Sequence, residues 1–225
     1  MVKSWIFAGK SDKRDLLLYL CKLLTASNQR VLLVDLTDFR KYRYSVGSAA
    51  AHLTLMQFSG FDVSDGLLDL TQADYDYVLF DVESLYIGSN LWESADQIVW
   101  VTSFDRYEVE SGAEWFRLLL ARWPQLTNIE VLPVYVRTVD SFLTSEYIMS
   151  FMEGISIHWS QDEIWIPWNE TNVAVQIENE HSQLLRIDGI SRTYKRALRH
   201  LMEQLTGWGT AESRRALRIV ERRRA

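Results

Sequence analysis

The most constraining feature of this sequence is a series of short, uninterrupted apolar runs that alternate with helical patterns. The runs lie at residues 5–8, 31–34, 77–80, 97–102 and 129–136. Continuous runs of this length are typical of strands buried on both faces, as in a parallel sheet. Between them, apolar residues recur on one helical face, first at leucines 16, 17, 20, 23 and 24. The alternation predicts an α/β fold with a doubly wound, mostly parallel sheet flanked by helices.

The length and apolar content suit one packed core. The chain has 225 residues, of which 48% are hydrophobic, and this is enough for a single domain. A last long helix is predicted to begin after Ser191, a good N-cap, and to end at Gly207. We therefore predict one α/β domain over residues 1–208 and a separate basic tail over residues 209–225.

Charge and cysteine content exclude several classes of protein. Acidic residues outnumber basic ones by 30 to 24, which is unlike a nucleic-acid-binding domain as a whole. The single Cys21 rules out an internal disulfide, and the four histidines are scattered away from metal-ligand spacing. No apolar run approaches the roughly 20 residues that span a bilayer, and the first residues lack a signal-peptide pattern. The sequence predicts a cytoplasmic protein, with recruitment to the inner face of the membrane as a further option.

Polar residues follow the first three predicted strands. Gly9, Lys10 and Lys13 come after the first strand, Asp35 ends the second, and Asp81 ends the third. Ligands of open α/β sheets bind outside the carboxyl ends of the strands. These residues are therefore the candidates for a ligand site.

The order of these features resembles the MinD/ParA group of P-loop ATPases, which carry a deviant Walker A loop. Gly9 and Lys10 are similar to the glycine and signature lysine at the head of that loop, and residues 31–35 are similar to the start of switch I. Residues 75–81 resemble the Walker B strand and its aspartate. Similar segments continue at residues 95–102, 166–180 and 190–194, so the resemblance covers about residues 3–206. It implies a P-loop NTPase fold and, for the family, ATP and magnesium as cofactors.

The sequence departs from the family pattern where phosphate and magnesium would be held. With Lys13 set on the P-loop lysine, the loop is two residues short, has no interior glycine, and carries Arg14 where the family has a magnesium-binding hydroxyl. A P-loop needs glycines because its backbone N–H groups fold tightly around phosphates. Asp12 and Asp15 are placed to occupy the start of the following helix, as in a capping box.

These departures predict a degenerate site that does not hydrolyse ATP and holds no cofactor. The alternative is an active ATPase with an atypical short loop that binds ATP and magnesium and dimerises on ATP. In the active ATPase, Asp35 and Asp81 bind magnesium. In the degenerate site, they cap the turns after buried strands. Two interpretations are open for Lys10 and Lys13. Either they hold a residual anion together with Gly9, or they belong to the solvated face of a helix start.

Two aromatic groups are candidates for binding a protein partner. Tyr42 and Tyr44 follow the second strand among basic residues, and the other interpretation is a solvated loop. Trp165 and Trp168 suit an interface because tryptophan is favoured at binding hot spots, and the other interpretation is core that covers the sheet edge.

The basic tail is a third candidate contact. Residues 211–225 carry six arginines, Arg214, Arg215 and Arg218 among them, against two glutamates. The sequence leaves open a solvated or disordered tail, contact with anionic lipid, and contact with an acidic partner or nucleic acid. Its apolar face is small, so any membrane attachment through it would be marginal.

The resemblance and its departures together suggest a function. They imply a catalytically inactive scaffold or localisation module with protein partners in a bacterial assembly, namely pilus, secretion, flagellar or division machinery. A homodimer through the former nucleotide face is a further option.

Overall fold

The computed structural model describes residues 2–47, 54–67 and 75–222. The strands are β1 (Lys3–Ala8), β2 (Val31–Leu36), β3 (Leu55–Phe58), β4 (Phe61–Ser64), β5 (Tyr77–Val82), β6 (Gln97–Thr102), β7 (Glu130–Thr138), β8 (His158–Trp159) and β9 (Ile164–Pro167). The helices are α1 (Arg14–Ala26), α2 (Tyr42–Ser45), α3 (Ser89–Glu93), α4 (Arg106–Arg122), α5 (Ser145–Ser150), α6 (Glu170–Ser182), α7 (Arg192–Thr206) and α8 (Thr210–Arg222).

One sheet runs through the molecule and confirms the predicted fold class. Its strand order is β3-β4-β2-β5-β1-β6-β7-β8, and β9 also pairs with β7. Within the described residues every strand pairing is parallel except that of β3 with β4. Strand β1 lies between β5 and β6, so the loop that follows it is flanked by the carboxyl ends of both neighbours.

Helices cover both faces of the sheet, which explains the uninterrupted apolar runs. In β1, Trp5 and Phe7 point into the core formed with α1, α7 and α8, whereas Ile6 and Ala8 point into the core formed with α4. Each position along the strand is therefore buried, and no alternation of polar residues is possible.

The sequence did not predict the β3–β4 hairpin at the edge of the sheet. Its strands have four residues each, and its turn places Ser59 at φ 48° and Gly60 at φ 94°. Two consecutive residues with positive φ are typical of the type I′ turn that joins short antiparallel strands.

The predicted ends of the last long helix are confirmed, but the separate tail is wrong for its described part. The Ser191 hydroxyl accepts a hydrogen bond from the Tyr194 N–H, and Gly207 ends α7 at φ 72°. Residues 210–222 then form α8, whose Ala216 and Val220 are buried against α1 and α7. Residues 223–225 of the predicted tail lie outside the described residues. Among the residues described, no helix is long and apolar enough to span a bilayer.

Candidate functional site

The loop after β1 is held tightly against the neighbouring strand β6. Gly9 has φ +132°, and a Cβ atom there would lie 2.2 Å from the carbonyl oxygen of Val101. The chain then turns so that Lys13 Nζ donates to the Gly9 carbonyl at 2.8 Å. Helix α1 begins at Arg14, so Asp12 lies just before the helix and Asp15 lies in its first turn. The loop is therefore compact and closed on itself.

Lys13 and Asp81 form a buried ion pair in the interior of the molecule. The distance from Lys13 Nζ to Asp81 Oδ1 is 2.7 Å, and each residue is 1% exposed. The solvated lysine considered as one interpretation is thus wrong for Lys13. Burial raises the pKa of Asp81 to about 6, against the charge and hydrogen bond of Lys13 and the hydrogen bond from Tyr42.

Tyr42 completes this buried cluster. Its hydroxyl donates to Asp81 Oδ2 at 2.8 Å, and burial raises the pKa of Tyr42 well above its usual value. Tyr42 is 0% exposed, so its predicted role in a surface contact patch is wrong. Tyr44, by contrast, is 70% exposed and remains a candidate contact residue.

Replacement of Tyr42 by phenylalanine is expected to lower the free energy of unfolding by about 1–3 kcal/mol, because it leaves Asp81 Oδ2 without its buried hydrogen-bond donor. The matched control is Tyr44→Phe, which removes the same hydroxyl from an exposed ring. It should change the free energy of unfolding by less than about 0.5 kcal/mol. Urea denaturation of both variants measures the difference. Equal effects of the two substitutions would contradict the internal role of the Tyr42 hydroxyl.

Asp35 caps the turn that follows β2. Its Oδ1 accepts hydrogen bonds from the Thr37 N–H at 2.9 Å and the Thr37 hydroxyl at 2.5 Å, and its Oδ2 accepts the Tyr42 N–H at 3.0 Å. The side chain is fully buried. These contacts agree with the capping interpretation of Asp35, because both carboxylate oxygens are satisfied by the chain itself.

A second layer of charges covers the buried cluster. Lys10 Nζ donates to Asp38 Oδ2 and to the Glu83 carbonyl, both at 3.0 Å. Lys41 Nζ pairs with Glu83 Oε1 at 2.6 Å. Lys10 and Lys41 are therefore paired with groups from the loops after β2 and β5. Lys13 is paired with Asp81 of β5 itself.

The two aspartates at the start of α1 have separate roles. Asp12 Oδ1 accepts the Arg14 N–H at 3.2 Å, and its carboxylate pairs with the Arg14 guanidinium at 2.7 Å. Burial raises the pKa of Asp12, but the hydrogen bonds and charge of Arg14 outweigh it and hold the pKa below its usual value. Asp15 accepts instead from the Tyr194 hydroxyl at 2.8 Å. Asp12 thus satisfies one N–H at the helix start, whereas the reciprocal contact of a capping box is not formed.

The other candidate contact residues lie on different surfaces. Trp165 is half-buried, packs on Phe104 and Tyr135, and donates to Glu163, so it belongs to the sheet cover. Trp168 is 53% exposed at the carboxyl end of β9. The arginines of α8, Arg214, Arg215 and Arg218, are exposed.

Among the residues that the structure describes, no group of three or more histidine, cysteine, aspartate or glutamate side chains could hold a metal ion. The sequence missed Tyr42, Lys41 and Glu83 as parts of this site. The available signal was that Glu83 directly follows β5 and that Lys41 and Tyr42 lie in the segment after β2.

No protein-family model and no curated protein matches the sequence. Solved structures do match. MinD, a cell division protein from Aquifex aeolicus, superposes with a TM-score of 0.64 and 13% identity over 92% of this chain and 98% of that chain. The fold is that of MinD.

Two further solved structures share the MinD-like fold. A ParA-family ATPase from Chlorobium tepidum TLS has a TM-score of 0.57 and 15% identity over 90% of this chain and 99% of that chain. McdA from Cyanothece, in its D38A–ATP complex, has a TM-score of 0.61 and 10% identity over 93% of this chain and 98% of that chain. At these identities the likeness to MinD, ParA and McdA concerns the fold.

Proposed function

We propose that this chain is a MinD/ParA-like protein that has lost ATP hydrolysis and acts as a scaffold or localisation module in a bacterial assembly. Pilus, secretion, flagellar and division machinery are the assemblies that the resemblance suggests. The observation that carries the proposal is the buried ion pair of Lys13 with Asp81. The lysine that would meet a phosphate neutralises the protein's own carboxylate.

Magnesium and ATP do not fit the residues present at this site. A magnesium ion would need carboxylate oxygens, but those of Asp81 are engaged by Lys13 and Tyr42, and those of Asp35 by Thr37 and Tyr42. Arg14 stands in place of a hydroxyl ligand and is itself paired with Asp12. Phosphoryl transfer depends on positioning phosphate, metal and water together, so these contacts support a loss of catalysis.

A role in protein assembly is supported by the surface and by one structural neighbour. MinD from Aquifex aeolicus has been solved in a complex with MinC, and that structure matches this chain with a TM-score of 0.64 at 14% identity, covering 92% of this chain and 97% of that chain. Exposed aromatic side chains, Tyr44 and Trp168, lie near the carboxyl edge of the sheet. Large exposed aromatic side chains are favoured at protein interfaces.

A thermal-shift titration with ATP and magnesium tests the loss of nucleotide binding. A binder at about 100 times its dissociation constant would be stabilised by roughly 2.7 kcal/mol. We expect no change in Tm at saturating ATP, because the groups that would hold the nucleotide are occupied internally.

A solved member of the fold that binds ATP, assayed in parallel, provides the positive control. A saturable rise in Tm, or magnesium-dependent ATP turnover above background that Lys10→Ala reduces, would overturn the proposal in favour of an active enzyme with a short loop.

A further inference from the structure

Helices α7 and α8 present a face of arginines, defined here as Arg192 and Arg196 on α7 and Arg214, Arg215, Arg218 and Arg222 on α8. All six are exposed. Within the part of the chain that the structure describes, none of the six has a carboxylate at ion-pair distance. Residues 192–222 hold eight lysines and arginines against three glutamates, a net charge of +5 on a protein whose total is −6.

Two of the three glutamates on these helices bind residues within the helix pair. Glu221 of α8 binds Lys195 of α7 at 2.8 Å, and Glu203 binds Arg199 at 3.4 Å. Glu203 also accepts from the Ser213 hydroxyl, so the two helices run antiparallel and in contact. Of the three glutamates in residues 192–222, only Glu212 lies outside these contacts, and none of the three is within ion-pair distance of the arginine face.

The spacing on α8 suits an extended anionic partner. Arg214, Arg218 and Arg222 recur every fourth residue, so their side chains leave the same side of the helix at intervals of about 6 Å. The apolar side of α8, with Ala216 and Val220, is buried in the core. That side is therefore unavailable for insertion into lipid. The exposed surface of α8 can attract a partner only by its charge and by the partly buried residues at its borders.

A groove borders the arginine face on the side away from α7. Its volume is about 410 Å³, and it lies between the end of α1 and the start of α8. Polar residues form most of its lining, and Trp208 and Ile219, both partly buried, form an apolar part beside Arg215. The carboxylate of Glu212, which also lines it, accepts the Gly209 N–H at 3.1 Å. The groove thus offers apolar surface directly beside a free guanidinium.

We propose that the arginine face and this groove together bind an acidic segment of a partner protein. Carboxylates of the segment pair with the arginines, and one apolar side chain enters the groove against Trp208. All six unpaired cations are arginines, which bind carboxylates bidentately and are enriched in protein interfaces, whereas lysine is depleted there. The apolar part of the groove, formed by Trp208 and Ile219, suits a side chain of a protein segment and has no counterpart in a phosphate backbone.

This proposal concerns a surface remote from the loop after β1 and does not depend on the loss of ATP hydrolysis. Its test uses the full chain and a fluorescent peptide of about 16 residues, roughly 24 Å as a helix, built of repeated Glu-Glu-Leu-Glu units. Fluorescence anisotropy at about 0.05 M and 0.15 M salt measures its affinity. We expect saturable binding that weakens at the higher salt and weakens further when serine replaces leucine in the peptide.

Matched variants locate the site. Arg214→Gln with Arg218→Gln should weaken peptide binding by about tenfold or more, because each removes a charge that meets a carboxylate. Arg106→Gln with Arg117→Gln removes the same charge from exposed positions on α4 and should change affinity less than about twofold. Circular dichroism confirms that both variants keep their helices.

Three outcomes overturn the proposal. The first is an absence of peptide binding, or binding that the α8 variant leaves unchanged. The second is tighter binding of a DNA duplex than of the peptide at the same salt, which would assign the surface to nucleic acid. The third is sedimentation of the protein with phosphatidylglycerol vesicles but no binding of the peptide, which would assign it to anionic lipid.

Discussion

Replacement of Lys13 by methionine is expected to lower the free energy of unfolding by about 3–5 kcal/mol. The substitution removes the ammonium group 2.7 Å from Asp81 Oδ1 and leaves a buried carboxylate without its partner. The methionine side chain fills similar space, so the loss reports charge and hydrogen bonding more than packing. Urea denaturation at neutral pH, where Asp81 of the unsubstituted protein is mostly ionised, measures it.

Lys10→Met is the matched control, since it removes the same group from the same loop. The ion pair of Lys10 with Asp38 is partly exposed, and pairs of this kind contribute at most about 1 kcal/mol. The double variant with Lys13→Met and Asp81→Asn should recover part of the loss, because no ionised carboxylate then remains buried. Unchanged stability of Lys13→Met would mean that the lysine is held for a ligand.

The two roles of a loop lysine are separable by this experiment. A lysine that serves only a bound phosphate contributes to binding and is dispensable for folding of the free protein. A lysine that neutralises a buried aspartate is required for folding, whatever binds nearby. The expected loss of stability therefore tests the proposed function independently of nucleotide assays.

The central sheet could be predicted from sequence because its strands are buried on both faces. In a chain of this kind, few structures other than a strand buried on both faces are compatible with an uninterrupted apolar run such as residues 77–80. The β3–β4 hairpin could not be predicted in the same way. Its strands have only four residues each, and Leu55 and Gln57 face away from the core, so the apolar signal is short and broken.

Helix α8 shows the opposite difficulty. Its buried positions include Ser213 and Ala216, small residues that carry little hydrophobic signal, while its arginines dominate the composition. Composition therefore predicted a separate tail. What decides the outcome is tertiary contact with α1 and α7, which a single segment of sequence does not reveal.

At the candidate site, the sequence indicated which residues lie there but not which of them contact one another. Lys13, Asp35 and Asp81 were found because each lies near or after the carboxyl end of a strand, and the carboxyl ends of parallel strands meet at one edge. That Lys13 pairs with Asp81, and that Tyr42 turns inward to join them, depends on the insertion of β5 between β1 and β2. Contacts of that kind follow from topology and cannot be read from local patterns.

Gly9→Ala is expected to be among the most destabilising single substitutions in this chain, at about 3 kcal/mol or more. Two effects combine, namely a backbone conformation at φ +132° that side chains rarely adopt and a Cβ placed 2.2 Å from the backbone oxygen of Val101. The obstructing atom belongs to β6, a central strand, so it cannot move aside cheaply. Urea denaturation measures the loss.

Gly154→Ala separates the two effects. Gly154 also has positive φ, +76°, but a Cβ atom there would meet nothing within 4 Å. Only the conformational cost applies, so the expected loss is about 1–2 kcal/mol. If both substitutions cost the same, the close approach of the loop to β6 contributes nothing. If Gly9→Ala costs more, the loop is fixed by its contact with the sheet, and the glycine that resembles the head of a phosphate loop is required by packing as well as by its backbone conformation.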